Sequence, residues 1–247
     1  MGENRYRRQI LSLYFLTKSH HSIYYRYQGR KISKKISPAN LELINSFYKK
    51  ISKDNEIIEN NLLSKNNKKI SFDKTFEKIN IEIGFGDGEY LLKQAIANPS
   101  ELFIGSEFYV NGIVKVLKKI IKLNINNIIL SNINCLYLLK ALHSKSVDNL
   151  YIINPDPWVK KKHNKRRLIV GKNIELFKKI IKKENSIFIT TDSPNYLKAM
   201  QHTFIENKKN LGDIKIKILT KKDKLYGISK YQRKAIEKGG KIYQVTI

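Results

Sequence analysis

The chain has 247 residues, 41% of them hydrophobic, which is enough for one large α/β domain, tight for two, and too apolar for a disordered protein. Its 48 Lys and Arg against 21 Asp and Glu leave a formal net charge of +27, which points to a polyanionic partner, nucleic acid first, although the accompanying richness in Asn and Ile also admits compositional drift. The single cysteine, Cys135, excludes an internal disulfide and zinc-type Cys/His spacing is absent; with no apolar run of membrane-spanning length and no cleavage site after Ile10–Leu16, a reducing, cytoplasmic location is expected.

Residues 1–36 form a basic, aromatic arm in which Tyr24, Tyr25 and Tyr27 interleave with Arg26, Arg30 and Lys31, suited to gripping nucleic acid or to remaining a charged tail. Ser37-Pro38 reads as a helix N-cap with proline at the first helical position, and Leu41, Ile44, Phe47, Tyr48 and Ile51 follow at helical spacing. Residues 53–70 are rich in Asn and Lys and read as a linker or solvated helix. From about residue 78, apolar runs at 79–83, 102–106, 127–131, 147–153 and 185–191 alternate with helical periodicity near 88–97, 109–122, 172–183 and 194–207. This βαβ repetition predicts an α/β fold with a mostly parallel sheet and helices on both faces, and runs at 213–219 and 241–247 predict an antiparallel edge.

The first of these strands carries Glu82 near its end and runs into Gly84-Phe85-Gly86-Asp87-Gly88. Gly84, Gly86 and Gly88 permit a sharp strand-to-helix turn and close approach of a ligand to the backbone. The spacing is G-x-G-x-G rather than the dinucleotide-binding G-x-G-x-x-G, and Asp87 in the turn would repel pyrophosphate but accept a zwitterionic or cationic ligand. Glu107, just past the second strand, is placed to accept hydrogen bonds from both hydroxyls of a ribose, a contact that S-adenosylmethionine and NAD both need. Asn134, after the third strand, either reads an adenine edge or caps a helix.

The fourth strand ends in Ile153-Asn154-Pro155-Asp156-Pro157-Trp158, and Val159-Lys160-Lys161-Lys162-His163-Asn164-Lys165-Arg166-Arg167 follows. Proline fixes its own φ and restricts the residue before it, so Asp156 sits on a stiff platform at the carboxyl edge of the sheet, where open α/β sheets bind ligands. The cationic segment beside it suits polyphosphate. Thr190-Thr191-Asp192 ends the fifth strand on the same edge, and Asp192 is either a site residue or the N-cap of a helix beginning at Pro194.

Together these segments resemble the bacterial tRNA (guanine-N7)-methyltransferase family, the TrmB type. The anchors are Arg26–Arg30, Glu82–Gly88, Ile104–Glu107, Pro155–Lys160, His163–Arg167, Thr191-Asp192 and Ser229-Lys230-Tyr231-Gln232. The resemblance implies a class I methyltransferase, Rossmann-like fold over residues 37–247, S-adenosyl-L-methionine as donor, and tRNA as partner, methylated at a guanosine of the variable loop. It places Glu82, Glu107, Asn134 and Asp156 at cofactor-contacting positions, Asp156 also at that of the catalytic acid, and Lys160, Asp192, Ser229, Lys230, Tyr231 and Gln232 at substrate-contacting ones. No metal, membrane or protein partner is implied, and a monomer or homodimer suffices. The sequence departs from the family pattern at Asn134 (usually Asp), Asn154 (usually apolar, commonly Phe), Ser193 (often Trp), Ser229 (Thr) and Gln232 (Glu).

Guanine N7 has a lone pair and no proton, so its methylation needs alignment and a carboxylate against developing positive charge rather than a strong base. Asp156, with Asp192 as a second candidate, fits that role. Two other readings use the same residues: an NAD-dependent dehydrogenase, disfavoured by Asp87 and the glycine spacing, and a basic RNA-binding protein of the same fold that has lost catalysis, which Asn134 and Gln232 permit.

Overall fold

The computed structural model describes residues 36–46, 69–70, 72, 75–132, 134–207 and 213–247. The basic arm up to residue 35, the anchor Arg26–Arg30, the apolar positions Phe47, Tyr48 and Ile51, and nearly all of the 53–70 stretch therefore lie outside the described residues.

Among the described residues, seven strands build one sheet in the order β3-β2-β1-β4-β5-β7-β6. They are β1 (Ile79–Ile83), β2 (Leu102–Ser106), β3 (Ile128–Ser131), β4 (Val147–Ile153), β5 (Ile181–Thr191), β6 (Lys215–Ile218) and β7 (Tyr243–Thr246). β1 to β5 pair in parallel, and β7 runs antiparallel to both β5 and β6. Such a sheet is buried on both faces, and β1 and β2 are buried along nearly their whole length. Helix α1 (38–46) precedes the sheet. Its start is capped as expected, the Asn40 amide donating to Ser37 Oγ at 3.3 Å, while Leu41 and Ile44 are buried.

The other α-helices among the described residues are α2 (Glu89–Ala97), α3 (Val110–Leu123), α4 (Cys135–Ala141), α5 (Gly171–Ile180), α6 (Pro194–Glu206) and α7 (Lys230–Glu237), and Lys161–Arg166 forms a 3-10 helix. One apolar cluster joins α2 and α3 to Phe103 and Leu130 of the sheet, with Ile44 of α1 added. A larger one, on Ile81, Ile104, Leu150 and Ile187, takes α4, α5 and α6. A third joins Tyr90 of α2 and Ile153 of β4 to Leu219, Leu225 and Ile242, so the segment leading to α7 is packed against the sheet edge.

The chain leaves α5 at Ile180 and enters β5 at once, earlier than the run at 185–191 predicts. Ile181 pairs with Val147, Ser186 with Asn149, and the residues between are taken up by an irregularity in the ladder. There Lys182 Nζ meets the Asp148 carboxylate at 2.6 Å, which holds the early start of the strand. α7 has no counterpart in the predicted pattern, and α4 has one only in the reading of Asn134 as a helix cap. α4 is short, and α7 is mostly polar, with Gln232 its one buried residue.

β1 connects to β2 on one side while β4 lies on the other, so the strand order reverses between β1 and β4. Open α/β sheets bind ligands at this crevice, outside the carboxyl ends of the strands. The register aligns Ile83 with Ser106 and Ile152, Ser106 with Ser131, and Ile153 with Thr190, so those ends share one edge.

Candidate active site

The glycine turn forms the floor of the crevice. Gly84, Gly86 and Gly88 all adopt left-handed φ, at 74°, 56° and 70°. That conformation costs any residue with a Cβ, and a Cβ on Gly88 would also lie 2.2 Å from Val116 Cγ2. At Gly84 and Gly86 an added Cβ would meet nothing within 4 Å, so this side of the turn is open. Gly112 of α3, which sequence reading missed, lets that helix approach until a Cβ there would stand 2.2 Å from Gly86 O.

Glu107 ties this turn to the end of β2. Its Oε2 accepts from the Gly86 amide at 2.7 Å, and its Oε1 from the amides of Phe108 at 2.6 Å and Tyr109 at 2.9 Å. An ionised carboxylate offers about four lone-pair sites, so a ribose would find Glu107 already partly committed. Burial raises its pKa against the pull of the three amides, and the nearby Asp156 charge adds to the rise.

Glu82 lies one strand over, 4% exposed, with Oε2 buried and without a hydrogen-bond partner. Burial first and the Glu107 charge second push its pKa up to about 8. A buried, unsatisfied carboxyl oxygen costs of order 1–3 kcal/mol and calls for a hydrogen-bond partner.

Asp156 stands at the tip after β4, exposed to solvent, and no described group bonds its carboxylate. Partial desolvation by its surroundings still raises its pKa. Its charge is felt at Glu107 and at the Tyr196 hydroxyl, so it shares the electrostatic neighbourhood of the crevice. The tip is bracketed by two residues with left-handed φ, Asn154 at 48° and Trp158 at 43°. Asparagine tolerates that region; for tryptophan it costs of order 1–3 kcal/mol. Trp158 is held by Arg166, whose guanidinium lies 5.0 Å from the ring centroid, and by an edge contact with His163 at 5.7 Å. Arg167 Nε donates to Pro157 O at 2.8 Å. The arginines of the basic segment thus fold back on the tip, while Lys160, Lys161, Lys162 and Lys165 stay exposed.

Asn134 is the N-cap of α4, with Oδ1 accepting from the Leu136 amide at 3.0 Å. Of its two readings the structure therefore contains the cap. The N-cap of α6 is Ser193, whose Oγ accepts from the Tyr196 amide at 3.3 Å, and not Asp192. Asp192 is exposed and its Oδ1 accepts from Asn154 Nδ2 at 2.9 Å.

The last four predicted residues start α7. Ser229 is its N-cap, Oγ accepting from the Gln232 amide at 3.2 Å. Lys230 and Tyr231 face solvent, the phenol 61% exposed, whereas Gln232 is 0% exposed and turned inward. The signal for this helix was present: Ser229-x-x-Gln232 is a capping-box pattern. α7 also clasps the glycine turn. Arg233 Nη2 donates to Glu89 Oε1 and Oε2 at 2.9 and 3.0 Å, and Asp87 carries Lys115 at 2.9 Å and Lys230 at 3.7 Å. Burial opposes ionisation of Asp87, but the two lysines outweigh it and hold its pKa below the usual value. Among the described residues no cluster of His, Cys, Asp and Glu could hold a metal ion, and no helix is long and apolar enough to cross a membrane.

The model of the Methyltransf_4 family, described as "Putative methyltransferase", matches residues 77–245. A "Bifunctional methyltransferase" of Rickettsia felis is 35% identical over 227 residues, covering 87% of this chain and 41% of the relative. A "tRNA (guanine-N(7)-)-methyltransferase" of Wolbachia pipientis is 41% identical over 120 residues, covering 49% of this chain and 54% of the relative. One of Neorickettsia sennetsu is 33% identical over 129 residues, covering 52% and 59%. The chain thus spans about two fifths to three fifths of the length of these relatives. Among solved structures, the 16S rRNA methyltransferase KamB superposes with a TM-score of 0.52 at 13% identity, over 72% of this chain and 94% of that one, a likeness of fold alone.

Proposed function

The chain belongs to the Methyltransf_4 family of methyltransferases, and from that membership we propose that it transfers a methyl group from S-adenosyl-L-methionine to N7 of a guanosine in the variable loop of tRNA. The observation that carries the proposal is the meeting of Glu82, Glu107 and Asp156 at the β1/β4 crevice, two of them short of partners, beside a lysine-rich surface.

The crevice suits this donor better than a dinucleotide. It presents the orphaned Glu82 oxygen and an open glycine cradle to a cationic and zwitterionic molecule, and its carboxylates would repel pyrophosphate. Bound there, S-adenosylmethionine supplies an electrophilic methyl group on a sulfonium. We assign Glu82 to its amino end, the remaining acceptor capacity of Glu107 to its ribose, Gly84, Gly86 and Gly88 to close backbone approach, and the free amide nitrogen of Asn134 to its base.

The chain's own work is then positioning and electrostatics. Asp156, with no internal partner, is available to the N1 and N2 edge of guanine, holding the base in plane and countering positive charge as it develops on the purine. No side chain has to remove a proton at N7. Exposed Lys160 and Lys230 take phosphate, Tyr231 offers a face for stacking, and Asp192 and the free lone pair of Ser229 lie along the same rim.

The test is transfer of labelled methyl groups to unmodified tRNA, and to the same tRNA with the variable-loop guanosine replaced by adenosine. Incorporation in the first and none in the second is expected. Binding of tRNA without transfer favours the RNA-binding reading, and calorimetric binding of NAD in place of S-adenosylmethionine favours the dehydrogenase.

A further inference from the structure

We propose that Asn154 and Gln232 form a one-directional amide relay that positions Asp192 and the Asp156 tip, so that Gln232 acts as a buried positioning residue rather than as a contact to RNA. The inference rests on the methyl-transfer reading for its consequence and on hydrogen bonds alone for its geometry.

The relay starts at a backbone donor. The Ile228 amide donates to Gln232 Oε1 at 3.2 Å. Gln232 Nε2 in turn donates to Asn154 Oδ1 at 3.0 Å and to Thr190 Oγ1 at 3.2 Å. The Thr190 hydroxyl donates to Asn154 Oδ1 at 2.9 Å, and Asn154 Nδ2 donates to Asp192 Oδ1 at 2.9 Å. The Asn154 backbone amide also donates to Thr190 O at 3.1 Å and to Thr190 Oγ1 at 3.2 Å.

The direction is fixed by the two ends. A backbone N–H can only donate and an ionised carboxylate can only accept, so neither side-chain amide can turn over without setting like groups against each other. Gln232 is wholly buried, and so is Thr190. In such surroundings a satisfied network is stiff and a broken one expensive. The relay joins three separate elements: the tip of β4 two residues before Asp156, the end of β5 at Asp192, and the N-terminus of α7. Asn154 can serve as the hub because it tolerates the left-handed φ of 48° that the chain requires before Pro155.

Asn154 and Gln232 are thus in direct contact, and each constrains what the other can be. A glutamate at 232 could still accept from Ile228 but would offer Asn154 a second acceptor. A bulky apolar residue at 154 would leave Gln232 Nε2 and Asp192 without this partner.

Two measurements test the relay. In the wild-type protein, the side-chain NH2 group of Gln232 should exchange slowly with solvent by NMR, with or without tRNA. Kinetically, Gln232→Glu and Asn154→Gly, the latter keeping the left-handed backbone, should each lower kcat by up to about 100-fold, the cost of a misplaced site, while KM for tRNA stays within about threefold. The double variant should be no slower than the worse single one. Rapid exchange of the Gln232 amide, a rise in KM alone, or losses that multiply in the double variant would each overturn the proposal. If the variants fail to fold by circular dichroism, the exchange data decide. A wild-type protein that binds tRNA but transfers no methyl group would count against the functional reading, and the exchange data would still judge the relay.

Discussion

Glu82 carries the most specific consequence at the scale of a single residue. Folding lifts its pKa from the ordinary 4.5 to about 8, so the native protein holds a proton that the unfolded chain has lost over that interval. Its contribution to stability is therefore full below about pH 4.5, falls as pH rises, and levels off above about pH 8. A neutral Glu82→Gln variant should lack this decline, which denaturant midpoints measured across the range will check. Donor binding should show the opposite slope. If the ammonium end of S-adenosylmethionine pairs with ionised Glu82, affinity rises by up to about tenfold per pH unit toward pH 8, with proton release visible by calorimetry in buffers of different ionisation enthalpy. A flat profile would remove Glu82 from the donor site. Asp156 behaves differently because no described group leans on it. Asp156→Asn should keep the melting temperature and donor affinity while lowering kcat by about 100- to 1000-fold, the usual loss when one preorganised electrostatic group is removed. Near-normal turnover would refute its role.

The basic segment Lys160–Arg167 divides at the scale of the element into two kinds of residue. Arg166 and His163 grip Trp158, and Arg167 holds the Pro157 carbonyl, so these build the tip on which Asp156 stands. Lys161, Lys162 and Lys165 are exposed and free to meet phosphate. Replacing those three by Ala should weaken tRNA binding at low salt and flatten the log–log salt dependence by about 0.7 to 0.9 for each phosphate that is no longer neutralised, leaving donor affinity alone. An unchanged slope in filter-binding titrations would assign the phosphate surface elsewhere. What sequence could and could not tell divides in the same physical way. β1, β2 and β4 were readable to the residue, β1 as an alternation of Ile with polar residues and β2 and β4 as short, largely apolar runs. α7 was not, since it is only 8 residues long and polar in composition, and its capping box is the clearest sign of it.

The mostly parallel sheet and the acids at its carboxyl edge followed, at the scale of the whole molecule, from alternating strands and helices and from the glycine turn. The inward turn of Gln232 did not, because it depends on α7 docking against β4 and β5, 78 residues away along the chain from Asn154. Likewise the double duty of Glu107, bracing Gly86 while facing the crevice, appears only once the turn and the end of β2 stand side by side. The cost of assembling this edge is visible as an unsatisfied buried carboxyl at Glu82 and left-handed φ at Trp158, the kind of local strain that functional sites hold. The most direct measurement uses tRNA carrying 7-deazaguanosine in the variable loop, which has a C–H in place of the N7 lone pair and otherwise the same shape. With S-adenosylmethionine, normal tRNA should gain one 7-methylguanosine by nuclease digestion and mass spectrometry, and the 7-deaza tRNA should bind equally well and gain no methyl group. Equal methylation of both, or of neither while both bind, would contradict transfer to guanine N7 at this site.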